Sequence, residues 1–190
     1  LSIRRQRQMC IRDSALCEQS LIDSLEVRAQ DSLFSNLPYS RSLLRNAMRQ
    51  AQDSMSYYRL MGLYGKTFFI SSDFDSILYY NRPVKEYDKR AAACPRWNDV
   101  LSDVYNIEGN VWMQLNQPDS AVAYYEKSYA YRLKGDKAHL LSDICMNLAD
   151  AHLHRGELAH TASYYRKALF ICDSLHLSEP VSCTHLTLPT

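Results

Sequence analysis

Residues 101–173 say nearly the same thing twice, and no other feature of the chain restricts its fold as strongly. One copy reads YNIEGNVWMQLNQPDSAVAYYEKSY from Tyr105 to Tyr129, and the other CMNLADAHLHRGELAHTASYYRKAL from Cys145 to Leu169. Gly109 answers Ala149, Trp112 answers His152, Tyr125 answers Tyr165 and Ser128 answers Ala168, each pair 40 residues apart. A period of this size marks stacked supersecondary units, none of which can bury its apolar face alone. Within each copy the apolar residues recur at three- and four-residue steps, so the unit is a helix hairpin and the chain an all-α solenoid. The period specifies a scaffold; it does not name a partner.

Composition agrees. Five Gly and six Pro in 190 residues punctuate too rarely for a turn-rich fold and favour long helices. The 14 Tyr suit helix seams, where the ring packs and the hydroxyl reaches water. A net charge of +1 gives no electrostatic case for nucleic acid or an anionic membrane as partner. No apolar run approaches the ~18 residues that a spanning helix needs. The six cysteines show no CxxC and no metal-ligand spacing. Cys145 and Cys172 fall on apolar helix faces, where a buried thiol is expected. The compartment, cytoplasmic or periplasmic, is not readable from them.

In chain order, patchy helical spacing covers about 17–34, with Leu21, Ile22, Leu25, Leu33 and Phe34 as its apolar positions. Asn36-Leu37-Pro38 then restarts the chain into a helix over 39–52 carrying Leu43, Leu44, Ala47 and Met48. A third helix is expected over 57–69 and a fourth from Asp75 to about Lys89. Gly65 and Phe68 take the places of Gly109 and Trp112, at an offset of 44. Pro83 predicts a kink or early end near Arg82. Residues 91–95 form a hinge. The fifth helix carries Leu101, Val104, Tyr105, Val111, Trp112 and Leu115, and residues 116–119 are a tight turn into the sixth, which runs to about Leu133. Gly135-Asp136 predicts a stop and a new N-cap. The seventh helix has the cleanest stripe, Leu141, Ile144, Cys145, Leu148 and His152, and stops at Gly156. The eighth, about 158–175, points Thr161, Tyr165, Ala168, Leu169 and Cys172 inward.

The order small–aromatic–turn–small–Tyr–small resembles the tetratricopeptide repeat, on Gly109 and Ala149, Ala121, Tyr125 and Tyr165, and Ala168. The resemblance implies a right-handed superhelical solenoid of antiparallel helix hairpins. Departures are His152 for the usual Tyr, Glu108 for a Leu, Ser128 for the final Ala and Thr161 for the early Ala. The period of 40 exceeds the usual ~34, so both helices of a hairpin should be long. The hairpins are expected at 54–96, 97–135 and 136–178, after a degenerate one at 15–53. Residues 8–14 and 181–190 resemble translated sequencing-adapter read-through, so 1–14 and 181–190 are set aside as non-native. The phrasing DSILYY followed by DSAVAYYEKS is similar to bacterial proteins that carry such arrays ahead of an output domain, which implies a fragment of a larger signalling protein.

Repeats of this family bind a protein or peptide segment on a concave face lined by first helices. The register places Asp103, Asn106, Asn110, Met113 and Gln114 there, followed by Asp143, Met146, Asp150, Leu153 and His154. Of these, Asp103, Asn106, Asn110, Gln114, Asp143, Asp150 and His154 are the candidate contacts. Asn amides can pair with a peptide backbone, and Asp favours a basic side chain. The lysine pattern that grips a terminal carboxylate in some relatives is absent, since Asn106 and Met146 stand where a first Lys would be. His139, His152, His154 and His160 crowd the last hairpin, but His152 and His154 are two apart and point to different faces, His152 replacing a packing aromatic, so the spacing suggests no metal site. The recurring Asp-Ser pairs read as caps and turns rather than as catalytic groups, and no Gly-rich phosphate loop is present. The expectation is a non-enzymatic interaction scaffold without cofactor. A structural or oligomerisation spacer and a peptide-responsive regulator are the alternatives.

Overall fold

The computed structural model describes the backbone of residues 21–91 and 95–174, with the side chains of 88–91 excluded. The adapter-like ends and positions 92–94 of the hinge lie outside the described residues. Eight α-helices and two 3-10 turns account for nearly all of it, and no strand occurs among the described residues. The chain divides into two compact units, Leu1–Arg90 and Ala91–Thr190.

In the first unit, α1 (21–31) and α2 (Leu37–Gln50) share a core of Ile22, Leu25, Ala29, Leu43, Leu44 and Ala47, completed by Leu60 and Tyr64 of α3 (Ser54–Lys66). Asn36 caps α2 by accepting the Tyr39 N–H at 3.1 Å, and Asp53 caps α3 by accepting that of Ser56 at 2.8 Å. Ser40, fully buried, satisfies its hydroxyl on the Ala29 carbonyl at 2.7 Å. Arg59 of α3 bonds both Asp23 and Glu26 of α1. Phe34 turns outward instead of joining the first core, because α1 ends before it.

Of the two outcomes expected at Pro83, the early end does not occur: α4 (Phe74–Ala91) runs through it. Proline removes the hydrogen bond to the carbonyl four residues earlier. That carbonyl belongs to Tyr79, a residue that is 74% exposed, so the lost bond falls on the solvent side of the helix.

In the second unit, α5 (Pro95–Gln114) packs on α6 (Pro118–Arg132), α6 on α7 (Leu141–His154), and α7 on α8 (Leu158–Ser174). Proline opens both α5 and α6, where its missing N–H costs nothing. The expected stripe of α7 is buried at every position. Thr161 and Ala168 are buried as expected, whereas Leu169 of α8 and Leu115 after α5 are about half exposed. Asp136 does not cap α7. A 3-10 turn (Ala138–Leu140) intervenes, and the N–H groups of Asp136 and Lys137 donate instead to the Asp99 carboxylate, at 3.0 and 3.3 Å.

One turn recurs in all three clear hairpins. Ser72, Asn116 and Gly156, at spacings of 44 and 40, are the three residues with positive φ among the described residues (53°, 56° and 73°). Each closes the same Schellman pair. The Ser72, Asn116 and Gly156 N–H groups donate to Phe69, Met113 and Leu153, and those of Asp73, Gln117 and Glu157 donate to Phe68, Trp112 and His152. The residues that supply this second carbonyl are the three aromatic positions of the repeat. Each ring meets a tyrosine 12 residues later: Phe68 with Tyr80 (5.5 Å), Trp112 with Tyr124 (6.0 Å) and His152 with Tyr164 (5.4 Å). His152 therefore replaces the usual aromatic without losing the ring contact.

The small position works beside this clamp. A Cβ on Gly109 would lie 2.5 Å from Tyr125 Cδ1, a ring that is 2% exposed and cannot retreat. At Gly65 the second-helix counterpart is the smaller Asn81, and the contacts are 3.1 Å.

Two stability outcomes follow, both measurable by urea denaturation. Gly109→Ala should cost about 1–3 kcal/mol, the overpacking range, while Gly65→Ala costs less; equal effects would refute the close approach at Tyr125. Gly156 has open space around its α-carbon, so Gly156→Ala tests backbone strain alone. It should cost about 1 kcal/mol, and Ser72→Gly should stabilise.

Candidate functional site

All seven candidate contacts lie in the second unit, on α5 and α7. Three of them are each held by a neighbour outside the candidate set. Asn147 donates its amide to Asn106 Oδ1 at 2.9 Å, joining α7 to α5. Tyr125 donates its hydroxyl to Asn110 Oδ1 at 2.7 Å. Tyr165 does the same to Asp150, so this bond spans 15 residues in both hairpins and repeats at the 40-residue period. Burial pushes the Tyr125 phenol well above its ordinary range, and the charge of Asp150 adds to the shift. Tyr165 is pushed up to about 12, by burial first and then by its bond to Asp150. Both hydroxyls therefore remain donors at any physiological pH.

Asp103 stands apart. Arg132, only 2% exposed, donates Nη1 to Asp99 at 2.8 Å and Nη2 to Asp103. A buried guanidinium demands such partners; Asp99 is buried with it, whereas the Asp103 side chain stays about half exposed. Asp143 is half-buried near the start of α7. Gln114 and His154 are exposed at the C-terminal ends of their helices. His152 and His154 do diverge, one buried and one exposed.

Sequence reasoning did not single out Asn147, Arg132 or the tyrosine hydroxyls as partners of these residues. The 15-residue Tyr-to-acceptor spacing was present in both copies and could have indicated the bonds. Nothing local marks Asn147 or Arg132, whose partners are 41 and 29–33 residues away.

Cys145 is buried, and burial pushes its thiol up to about 11, so it is an inert packing group. At the α7–α8 turn, His152 Nδ1 lies 2.6 Å from Glu157 Oε2, and Arg155 Nη2 lies 2.9 Å from Oε1. Arg155 also reaches Asp119 of α6 at 2.9 Å, linking two successive hairpin turns. The hydrogen bond from His152, followed by the charges of Arg155, His152 and His160, holds the Glu157 carboxyl below its usual value of 4.5. A depressed carboxylate contributes stability above its unfolded pKa and loses it as pH falls through the folded one. Stability should therefore drop on acidification below about pH 4.5. In Glu157→Gln this part of the loss should vanish, seen as a shallower decline of the urea midpoint between neutral and acid pH; parallel declines would show that the cluster does not titrate with folding.

Among the described residues no helix is long and apolar enough to cross a membrane. Neither a protein-family model nor a curated protein matches the sequence. Among solved structures, the chain is similar to the crystal structure of BtubC (BKLC) from P. vanneervenii, with a TM-score of 0.63 and 13% identity over 84% of this chain; it spans 66% of the BtubC chain. Two crystal structures of MamA are similar at TM-scores of 0.54 and 0.51, each 14% identical, covering 87% and 92% of this chain and 86% and 81% of theirs. At these identities the likeness is one of fold, and the fold is that of the tetratricopeptide-like helical repeat proteins.

Proposed function

We propose that the chain is a non-catalytic protein-interaction scaffold that captures an extended protein or peptide segment along α5 and α7. The observation that carries this reading is the Asn106–Asn147 amide pair, which bridges the two first helices of successive hairpins. With Asn147 Nδ2 committed to Asn106 Oδ1, the pair keeps the Asn106 NH2 as donor and the Asn147 carbonyl as acceptor. That is the complement of one peptide unit. Asn110 and Asp150 flank it, each fixed by a tyrosine hydroxyl, and Asp150 supplies negative charge for a Lys or Arg of the bound segment. Asp143, Gln114 and His154 extend the same helices, and Asp103 adds a half-exposed carboxylate that it shares with Arg132. In a larger bacterial regulatory protein, such an array would serve as the signal-input element.

A random-peptide display selection against the 190-residue protein tests this. The expected result is a set of extended peptides enriched in Lys or Arg, with binding weakened by Asn106→Ala and Asp150→Asn. If no peptide is enriched and sedimentation shows concentration-dependent self-association, the array is an oligomerisation spacer. Enriched peptides whose binding ignores both substitutions would place the contact elsewhere.

A further inference from the structure

Two histidines and a carboxylate converge where α7 turns into α8. His152 is buried, and its ring stacks on that of His160 at 5.0 Å with 20° between the planes. Its Nδ1 lies 2.6 Å from Glu157 Oε2, and His160 Nδ1 lies 3.6 Å from the same oxygen. The other carboxylate oxygen is held by Arg155, so Oε2 is the one turned toward both rings. All three ligand atoms lie within 4.8 Å of one another. The backbone that carries them is fixed. The Schellman bond from Glu157 N–H to the His152 carbonyl closes the turn, and the Glu157 carbonyl accepts the Thr161 N–H and hydroxyl in the first turn of α8.

The geometry points to a zinc-class divalent cation bound by His152 Nδ1, Glu157 Oε2 and His160 Nδ1, with water as the fourth ligand. Two imidazoles and one carboxylate are a donor set for this ion. Tetrahedral coordination at ordinary bond lengths sets ligand atoms about 3.3 Å apart. The 2.6 Å pair must open and the 3.6 Å pair close, each by less than about 1 Å, and the two imidazole nitrogens, within 4.8 Å of each other, close by at most about 1.5 Å. His160, whose side chain is 65% exposed, can swing to close both of its distances, and a small rotation of the partly exposed Glu157 carboxylate opens the short one. The local charge also suits a cation: the carboxylates of Glu157 and Asp119 surround the single guanidinium of Arg155. Arg155 acts as the orienting group, fixing one carboxylate oxygen so that the other faces the metal. Binding requires the proton on His152 Nδ1 to leave; in the neutral ring it moves through water to Nε2, and from the protonated ring it is released to solvent. The cation would clip the end of α7 to the start of α8. The separation of ligands across the turn explains why the sequence spacing of the histidines suggested no site.

The test is Zn2+ titration of the 190-residue protein by calorimetry near neutral pH, with Co2+ absorption as the probe of geometry. His160→Ala and Glu157→Gln are the variants, since both side chains can change without opening the core, and circular dichroism verifies their folding. The expected result is one ion per chain, visible Co2+ bands of tetrahedral intensity, and affinity lowered at least about tenfold by each substitution. Absence of binding, or binding that survives either substitution unchanged, overturns the site; the second result would place the ion on other Cys or His residues of the chain.

Discussion

The left-handed residue that ends each first helix sets the geometry on which every hairpin depends. A helix that stops in this way sends its chain back at a fixed angle, because two backbone hydrogen bonds close the turn. Ser72, Asn116 and Gly156 show that side-chain identity is secondary to the conformation, even though only glycine adopts it without strain. Once the turn is closed, the aromatic residue that lends its carbonyl is brought against a tyrosine of the next helix. Turn and ring pair then act together, the first fixing direction and the second fixing separation. Gly109 lets the helices close on the Tyr125 ring, and that ring places its hydroxyl on Asn110.

This sequence of constraints explains why polar residues of α5 and α7 are ordered rather than merely solvated. Asn110 and Asp150 each receive a tyrosine hydroxyl from the helix behind, so their positions follow from the packing of the core. Asn106 is fixed by Asn147 of the neighbouring hairpin. A binding face needs side chains held before the ligand arrives, because immobilising them on binding costs affinity. Here the ordering is already supplied by the hairpins.

How much of this was legible follows from the range of each interaction. The hairpin period, the small positions and the stripe of α7 depend on residues three to five apart or on the 40-residue repeat, and both are visible in the sequence. The turn chemistry was half visible: Gly156 announces itself, whereas Ser72 does not. Leu169 and Leu115 look as apolar as their buried neighbours, but they fall where no helix among the described residues covers them fully. Asp136 carries the residue type of an N-cap, yet a carboxylate 37 residues upstream takes its N–H. Pro83 reads by local rules as a kink or an end; α4 continues past it, and the hydrogen bond it removes falls at the largely exposed Tyr79. The crowding of His160 and His152 in the last hairpin was visible, but their ring contact was not, since the turn between them determines it.

The buried Arg132 adds a constraint on what the candidate face can recognise. Its guanidinium sits at the end of α6 and draws Asp99 and Asp103 of α5 toward it, while Asp99 also holds the backbone of the α6–α7 loop. A Cβ on Gly135 would lie 2.7 Å from the Asp99 carboxyl carbon, so this loop approaches as closely as backbone allows. Removing Arg132 or Asp99 would leave the other buried without its partner, a cost larger than the pair itself contributes. That buried pair is therefore structural, while Asp103, with its side chain half exposed, shares the guanidinium from the rim. Under the proposed reading, Asp103 of α5 divides its charge with Arg132, whereas Asp150 of α7 accepts a neutral phenol. A basic side chain entering beside the Asn106–Asn147 pair would meet its charge on the α7 side, which gives a bound segment a direction as well as a place.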